Sequence, residues 1–220
     1  MRLISILILF FCIHNAAGQT VYTSKKDISA AKEIIFYGYD FSHFTLADPK
    51  RIYTAQGRDP AGVKDHPVNS IKVYVSAWVG YLLNKMGNNY FARKLKTSKV
   101  TFDFDYTYQV IRQLNDSNLV SLFKTTIPRD SIQAIINNYQ IKQKEGIGFT
   151  IIVECFNKDK EASSAYFTFF DIATKKVLMS DYFSTSHADG IGLTSHWGYG
   201  FNYTVDSYIS DEFKSNVRKK

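Results

Sequence analysis

A serine, a histidine and an aspartate lie close together at the end of the first apolar run of the sequence. Asp40, Ser42 and His43 close the stretch Phe36–His43, and these residue types form the catalytic triad of serine hydrolases. Neighbouring residues on a strand point to opposite faces, so Ser42 and His43 do not pair readily there. The chain also has no G-x-S-x-G motif, which the nucleophile of α/β-hydrolases requires. The position therefore predicts ligand binding at a strand end rather than serine chemistry.

A second group of chemically capable residues surrounds a glycine-rich loop near the C-terminus. His187, Asp189, His196 and Asp206 flank this loop, but their spacing matches no zinc or calcium motif, and we expect no metal and no cofactor. Two of its glycines precede a predicted helix, where backbone N–H groups can hold an anion. The loop lacks the lysine of a P-loop. The predicted ligand-binding residues of the chain are Asp40, His43, His187, Asp189, Gly190, Gly192, His196 and Trp197.

Two aspartates could form a carboxylate pair. Asp103 and Asp105 lie two residues apart in residues 99–111, which alternate as a strand does, so their side chains would be roughly 6.5–7 Å apart. Such a pair could act as acid and base or bind a cation. The simpler interpretation is the solvated face of a half-buried strand.

The elements that must position these residues follow from hydrophobic periodicity. Residues 147–156, 165–170 and 177–183 are apolar runs joined by short polar turns, and this pattern is typical of an antiparallel meander. Apolar residues recur at helical spacing from Ile71 to Met86. The remaining predicted elements are a strand over 33–44 with a bulge or close approach at Gly38, a long loop over 45–69, a strand over 99–111, a short helix over 131–139 and a final helix over 197–216.

The order of these elements is β-α-β-α-β-β-β-α, which predicts an α/β (α+β) fold. We expect a single mixed sheet of about five strands that ends in the antiparallel meander. Helices should cover mainly one face, since only residues 99–111 show a clearly polar side.

The N-terminus has the three parts of a signal peptide. Arg2 precedes an apolar run that is too short for a membrane span, which needs ~20 residues, and Ala16 and Gly18 place small residues where signal peptidase cleaves. We predict a signal peptide over 1–18, an arm over 19–32, a single domain over 33–216 and a basic tail over 217–220. The mature chain is then exported to the periplasm or medium, soluble, and without a transmembrane helix.

Cysteine and charge narrow the functional classes. Of two cysteines only Cys155 remains after cleavage, so a disulfide framework is excluded. The net charge of +7 is dispersed, apart from short basic clusters at Arg93–Lys96 and Arg218–Lys220. Neither cluster forms a stripe of the kind that nucleic acids require, and we expect no nucleic-acid partner.

Three stretches carry a family resemblance. The exported N-terminus, Phe36–His43 and Gly190–Gly200 together resemble uncharacterised small secreted proteins of Gram-negative bacteria. The element order is similar to that of envelope lipoproteins of the penicillin-binding-protein-activator and curli-secretion type. The chain differs from these lipoproteins in lacking a lipobox, because Phe10 and Phe11 precede Cys12.

These observations predict a non-enzymatic binding module of the cell envelope, with its recognition surface in the loops 45–69 and 187–200. The expected partner is another envelope protein or a polar or anionic glycan. The alternative is a hydrolase that acts on envelope material through acidic or histidine residues. If the first, third and fifth strands run parallel, His43, His187 and Trp197 could line one cleft.

Overall fold

The computed structural model describes residues 24–47, 71–188 and 192–218. Its strands are β1 Glu33–Asp40, β2 Thr45–Ala47, β3 Lys99–Phe102, β4 Val120–Ser121, β5 Ile147–Asn157, β6 Ala162–Asp171 and β7 Val177–Ser186. Its helices are α1 Lys25–Ala30, α2 Ile71–Lys85, α3 Asn88–Leu95, α4 Asp105–Gln113, α5 Ser131–Asn137, α6 Gly192–Ser207 and α7 Phe213–Arg218, with a 3₁₀ turn at Asp116–Asn118 and a π-helical turn at Tyr208–Glu212.

Strand β5 is the centre of a seven-stranded mixed sheet. On one side it pairs with β6 along its length, and β6 pairs with β7, both antiparallel. On its other side it pairs in parallel with β1 and then with β2. The outermost positions next to β1 and β2 are taken by β3 and β4, also parallel. The antiparallel C-terminal meander is therefore present, within a sheet whose upstream half is parallel.

The two faces of the sheet differ in their cover. The first face, which carries Phe36, Phe149 and Phe167, packs under α2, α3 and α6 in the larger core. The second face carries Tyr37, Ile152 and Tyr166 and packs under α5 in a smaller core. Helix α2 buries Ile71, Val75, Trp78, Val79 and Leu82, as its periodicity predicts.

Gly38 shows why β1 needs a glycine. Its φ is +95°, and a Cβ there would lie 2.9 Å from Thr107 Oγ1 and 3.0 Å from the Phe104 ring. Strand pairing with β5 shifts register between Phe36 and Tyr39. The glycine thus provides both the bulge and the close approach of α4 that the sequence indicates.

The predicted strand over 99–111 is wrong beyond Phe102. The Asp103 carboxylate accepts the Asp105 N–H at 3.2 Å, a local turn that starts α4. Helix α4 buries Thr107 and Ile111, four residues apart, so this segment also satisfies the helical period. Asp103 and Asp105 consequently do not share a strand face.

Other differences concern boundaries. The predicted strand over 33–44 ends at Asp40, and β2 takes 45–47 from the predicted loop, whose remainder lies outside the described residues. This break, together with β4, raises the count from about five strands to seven. The arm over 19–32 contains α1, and the final helix begins at Gly192 rather than Trp197. None of the helices within the described ranges is long and apolar enough to cross a membrane.

Candidate functional site

Asp40 is buried at the end of β1 on the second face. Its carboxylate accepts hydrogen bonds from the Tyr139 hydroxyl and the Ser42 N–H, both at 2.8 Å. Tyr139 also lies 2.9 Å from the Thr150 hydroxyl. Burial, followed by the Asp40 charge, raises the pKa of Tyr139 well above its ordinary value. Asp40 therefore anchors a closed polar network under α5.

His43 and His187 lie beyond the same end of the sheet, the carboxyl end of β1 and β7, because β1, β5 and β7 run in the same direction. They follow different strands, however, because His43 comes after β1 and His187 comes after β7. Three strand spacings separate β1 from β7, which amounts to about 14 Å. Both side chains are exposed. The two histidines therefore lie at the same end of the sheet but not in one pocket.

The predicted residues of the glycine-rich loop have different surroundings. Asp189 and Gly190 lie outside the described residues, and Gly192 is the first residue of α6. His196 Nε2 lies 2.9 Å from Glu161 Oε2 in the β5–β6 turn. Trp197 is fully buried and stacks on Phe156, with ring centroids 5.0 Å apart. The structure thus places Trp197 in the first core and not on a surface.

A buried carboxylate that the sequence analysis did not single out lies on the second face. Strand β5 shifts register between Val153 and Cys155, which brings Glu154 and Cys155 to the same face. Glu154 accepts the Ile127 N–H at 2.9 Å and the Ser164 hydroxyl at 2.8 Å, and pairs with Lys124 at 3.5 Å. Burial raises the pKa of the Cys155 thiol, which therefore stays protonated and unreactive.

These bonds fix the loop that follows β4. Lys124 also donates to the Tyr182 hydroxyl at 2.7 Å, and Tyr166 donates to the Ile127 carbonyl at 2.8 Å. Burial disfavours the Lys124 ammonium, but the Tyr182 bond and the Glu154 charge outweigh it and raise its pKa. The Glu154 cluster is saturated with internal partners, which is typical of a structural anchor.

Along β7 the main-chain N–H and C=O groups of successive residues point alternately toward β6 and away from the sheet. The Asp171 N–H of β6 donates to the Lys176 carbonyl at 2.9 Å, so odd-numbered residues of β6 face β7. The N–H and C=O groups of their partners in β7, such as Asp181 and Phe183, therefore point inward to β6. The residues whose N–H and C=O groups point outward are Ser180, Tyr182, Ser184 and Ser186.

The first half of this outer edge is closed. The Val177 N–H donates to Gln133 Oε1 at 2.9 Å, and Arg129 donates to the Ser180 carbonyl at 3.4 Å. A register shift between the partners of Phe169 and Phe170 adds a bulge at Leu178. Side-chain caps and bulges are two devices that prevent edge-to-edge pairing.

The second half of the edge is open. Among the described residues, no group bonds to the outward main chain of Tyr182, Ser184 or Ser186. The three outward positions carry no charge and no proline, which are the residues that usually protect an edge. We call residues 182–186 the open edge.

Exposed aromatic rings lie on both sides of the open edge. On the second face Tyr182 is 43 % exposed. On the first face His187 stacks on Tyr203, with centroids 4.0 Å apart, and lies 5.7 Å from Tyr199. Tyr199 and Tyr203 are 42 % and 43 % exposed. Aromatic rings that flank a sheet edge can hold side chains of an added strand.

Helix α6 fixes the end of β7 against the sheet. A Cβ on Gly200 would lie 2.7 Å from the His187 carbonyl oxygen, so the helix and the strand end touch backbone to backbone. The Thr204 hydroxyl lies 2.6 Å from the hydroxyls of both Ser163 and Thr185. The open edge is therefore held in place before any partner binds.

No metal cluster is formed by the described part of the chain: no three His, Cys, Asp or Glu side chains there come together. Comparisons with known proteins add no assignment either, since no family model, curated protein or solved structure matches the chain.

The open edge could have been found from one feature of the sequence. The predicted third run of the meander stops at Phe183, whereas β7 continues through the polar residues Ser184, Thr185 and Ser186. A polar extension without glycine or proline, on the last strand of a meander, indicates an edge that is neither buried nor interrupted.

Proposed function

We propose that this protein is an exported, non-enzymatic binding module that captures an extended segment of another envelope protein along the open edge. The observation that supports the proposal most strongly is the set of outward main-chain groups of Tyr182, Ser184 and Ser186, which are uncharged and without partners among the described residues. Export is inferred from the sequence of residues 1–18.

A peptide strand matches this edge better than a glycan does. The outward residues offer N–H and C=O groups at every second position, which is the repeat of another strand. Each net hydrogen bond contributes about 0.5–1.5 kcal/mol. Alternate side chains of the added strand would contact Tyr182 on one face and the His187, Tyr199 and Tyr203 rings on the other.

The rigid support of the edge favours binding. Thr185 and Asp181 of β7 are bonded to Thr204 and Tyr208 above the first face, and Tyr182 is held by Lys124 on the second. Ordering a binding surface costs free energy, and this surface is ordered in the free protein.

The hydrolase alternative has less support. Asp103 Oδ2 accepts from Gln143 at 3.0 Å, and Asp105 pairs with Lys142. The two carboxylates are therefore engaged separately, whereas acid–base catalysis needs both to face one substrate.

A pair of substitutions tests the proposal. Ser184→Pro removes one outward N–H and adds a ring on the edge, whereas Ser184→Ala removes only the hydroxyl, which donates to the Ser163 carbonyl at 3.0 Å. Both variants and the unchanged protein are used to select binders from a library of random peptides displayed on phage. We expect enrichment with the unchanged protein and with Ser184→Ala, and none with Ser184→Pro.

Thermal unfolding of the three proteins is the control, because the comparison requires that Ser184→Pro remain folded. If Ser184→Pro selects the same peptides with equal affinity, binding does not use the edge and the proposal is wrong. A Tyr182→Pro variant, which blocks the neighbouring outward N–H, serves if Ser184→Pro is unfolded. The same criterion applies to it.

A further inference from the structure

A groove adjoins the closed half of the β7 edge. It has a volume of about 490 Å³ and is lined by residues of β7 from Val177 to Asp181, by the start of α5 with Arg129 and Asp130, and by Lys25. An added strand that leaves the open edge toward Ser180 enters this groove.

The direction of the added strand follows from the meander. Strands β5, β6 and β7 alternate in direction, and a further strand that continues the pattern runs antiparallel to β7. Its N-terminal part then lies opposite Ser186, and its C-terminal part lies opposite Tyr182. The next residues of the segment arrive at Ser180 and the groove.

The edge changes its hydrogen-bonding character at Ser180. The Ser180 carbonyl already accepts from Arg129, while its N–H points outward. A peptide N–H placed there would have to share the Ser180 carbonyl with the Arg129 guanidinium. A group that only accepts hydrogen bonds would be satisfied by the Ser180 N–H and by the remaining donors of the Arg129 guanidinium.

Two cations and two carboxylates line the groove. Within the described ranges neither Arg129 nor Lys25 forms an ion pair, and both line the groove. Asp130 and Asp181 line it as well, and the Asp181 carboxylate accepts from Tyr208 at 2.9 Å on the first face. The guanidinium contacts the main chain of β7 itself, so it lies on the path of the added strand.

Resting on the proposed function, we propose that the captured segment is the free C-terminal tail of the partner protein, with its terminal carboxylate bound by Arg129 and the Ser180 N–H. A terminal carboxylate is acceptor-only and negatively charged, which suits the outward Ser180 N–H and the Arg129 guanidinium. The tail ends where the edge closes, because Arg129, Gln133 and the Leu178 bulge prevent further pairing.

Two display formats distinguish a tail from an internal segment. Random peptides are displayed on phage either with a free C-terminus or fused at their C-terminus, and each library is selected on the purified protein. The best binders are then synthesised as free acids and as C-terminal amides. We expect enrichment mainly from the free-terminus library and an affinity loss of at least about tenfold on amidation.

Variants connect this loss to Arg129. The free acid and the amide should bind alike to Arg129→Gln, and Arg129→Lys should keep part of the preference for the free acid. Arg112 is an exposed cation on α4, and Arg112→Gln should leave this preference unchanged. Equal binding of acid and amide to the unchanged protein overturns the inference. If in that case Ser184→Pro still abolishes binding, strand capture at the open edge remains supported and only the C-terminal-tail inference fails. Failure of both libraries to yield any binder overturns both.

Discussion

The sheet ends in β7 on one side and in β3 and β4 on the other, and the β3 and β7 edges are protected very differently. The β3 edge is four residues long, and Lys99 at its start forms an ion pair with Glu33 of β1 at 2.9 Å. The β7 edge is ten residues long, and its outward positions carry no charge. A short, charged edge cannot be extended by another chain, whereas a long, neutral edge can.

The contrast within β7 sharpens this point. Gln133 and Arg129 close its first half, so the chain is able to protect this strand and does so over part of its length. The exposed Tyr182 and the stacked His187 and Tyr203 accompany only the second half. The protection therefore stops where the aromatic rings begin, which is the half of the edge that the proposed strand addition uses.

The largest expected change in stability comes from truncating a phenylalanine that packs beneath each edge. Phe167 of β6, the strand next to β7, is fully buried and stacks on Tyr208 with ring centroids 3.8 Å apart. Phe167→Ala should therefore lower the free energy of unfolding by about 3–5 kcal/mol. Phe102 in β3 is only partly buried, and Phe102→Ala should cost less. Urea denaturation measures both, and equal losses would show that the two edges are equally well supported.

A lysine should convert the open edge into one resembling β3. Ser184→Lys places a charge at the middle outward position, and we expect peptide capture to weaken about tenfold. Self-association at high protein concentration, measured by light scattering, should fall in parallel. Thr185→Lys is unsuitable as a control because Thr185 is bonded to Thr204, so exposed Lys176→Gln serves instead. Unchanged capture by Ser184→Lys would argue against strand addition.

The β7 side should be sensitive to alkali. Burial, followed by the Asp181 charge, raises the pKa of Tyr208. Below its ordinary pKa of about 10 the hydroxyl is protonated in both states, and above it only the unfolded chain releases the proton. Stability should therefore fall above pH ~10, by about 1.4 kcal/mol per pH unit for each such tyrosine.

Tyr208→Phe should reduce that slope by one tyrosine and cost about 1 kcal/mol at neutral pH through the lost bond to Asp181. Urea midpoints recorded across the alkaline range test this. Part of the slope should persist, because burial also raises the pKa of Tyr39 and Tyr139. An identical slope in Tyr208→Phe would show that Tyr208 ionises freely in the folded protein.

The smallest effect is expected on the β3 edge in acid. Hydrogen bonding from Thr101, and then from Lys99, lowers the pKa of Glu33. The stabilisation is present above the ordinary pKa of about 4.3 and is lost as pH falls through the lower folded value. Glu33→Gln should change stability by less than roughly 1 kcal/mol at pH ~7, and by nothing in strong acid. A large loss would mean that this edge depends on its ion pair.

Sequence patterns predicted the helices and strands in which burial of one face gives the apolar residues a regular spacing. Helix α2 appeared where apolar residues recur at helical spacing, and the meander appeared where short apolar runs alternate with turns. Gly38 also marked its own bulge. In each case the physical cause lies within a few neighbouring residues.

Other features depend on contacts that no local pattern records. Residues 100–110 alternate as a strand would, yet the Asp103 turn and the burial of Thr107 and Ile111 make the segment helical after Phe102. Trp197 belongs to a buried stripe with Phe201 and Val205, although its neighbours suggested a binding loop. The polar extension of β7 indicates an edge, but the outermost position of β7 depends on the order of strands across the sheet, which the sequence left undetermined.

The central position of β5 has a consequence for how the molecule assembles. On one side β5 meets β6, the next strand along the chain, and on the other it meets β1 and β2 from near the start. Local pairings close short loops and form faster than pairings between distant segments. We therefore expect the meander to form first. The edge of β5 is then unpaired until β1 arrives, and the edge of β7 is unpaired throughout. Refolding yield, more than native stability, should then fall as protein concentration rises, because a chain at that stage can add to another from either side.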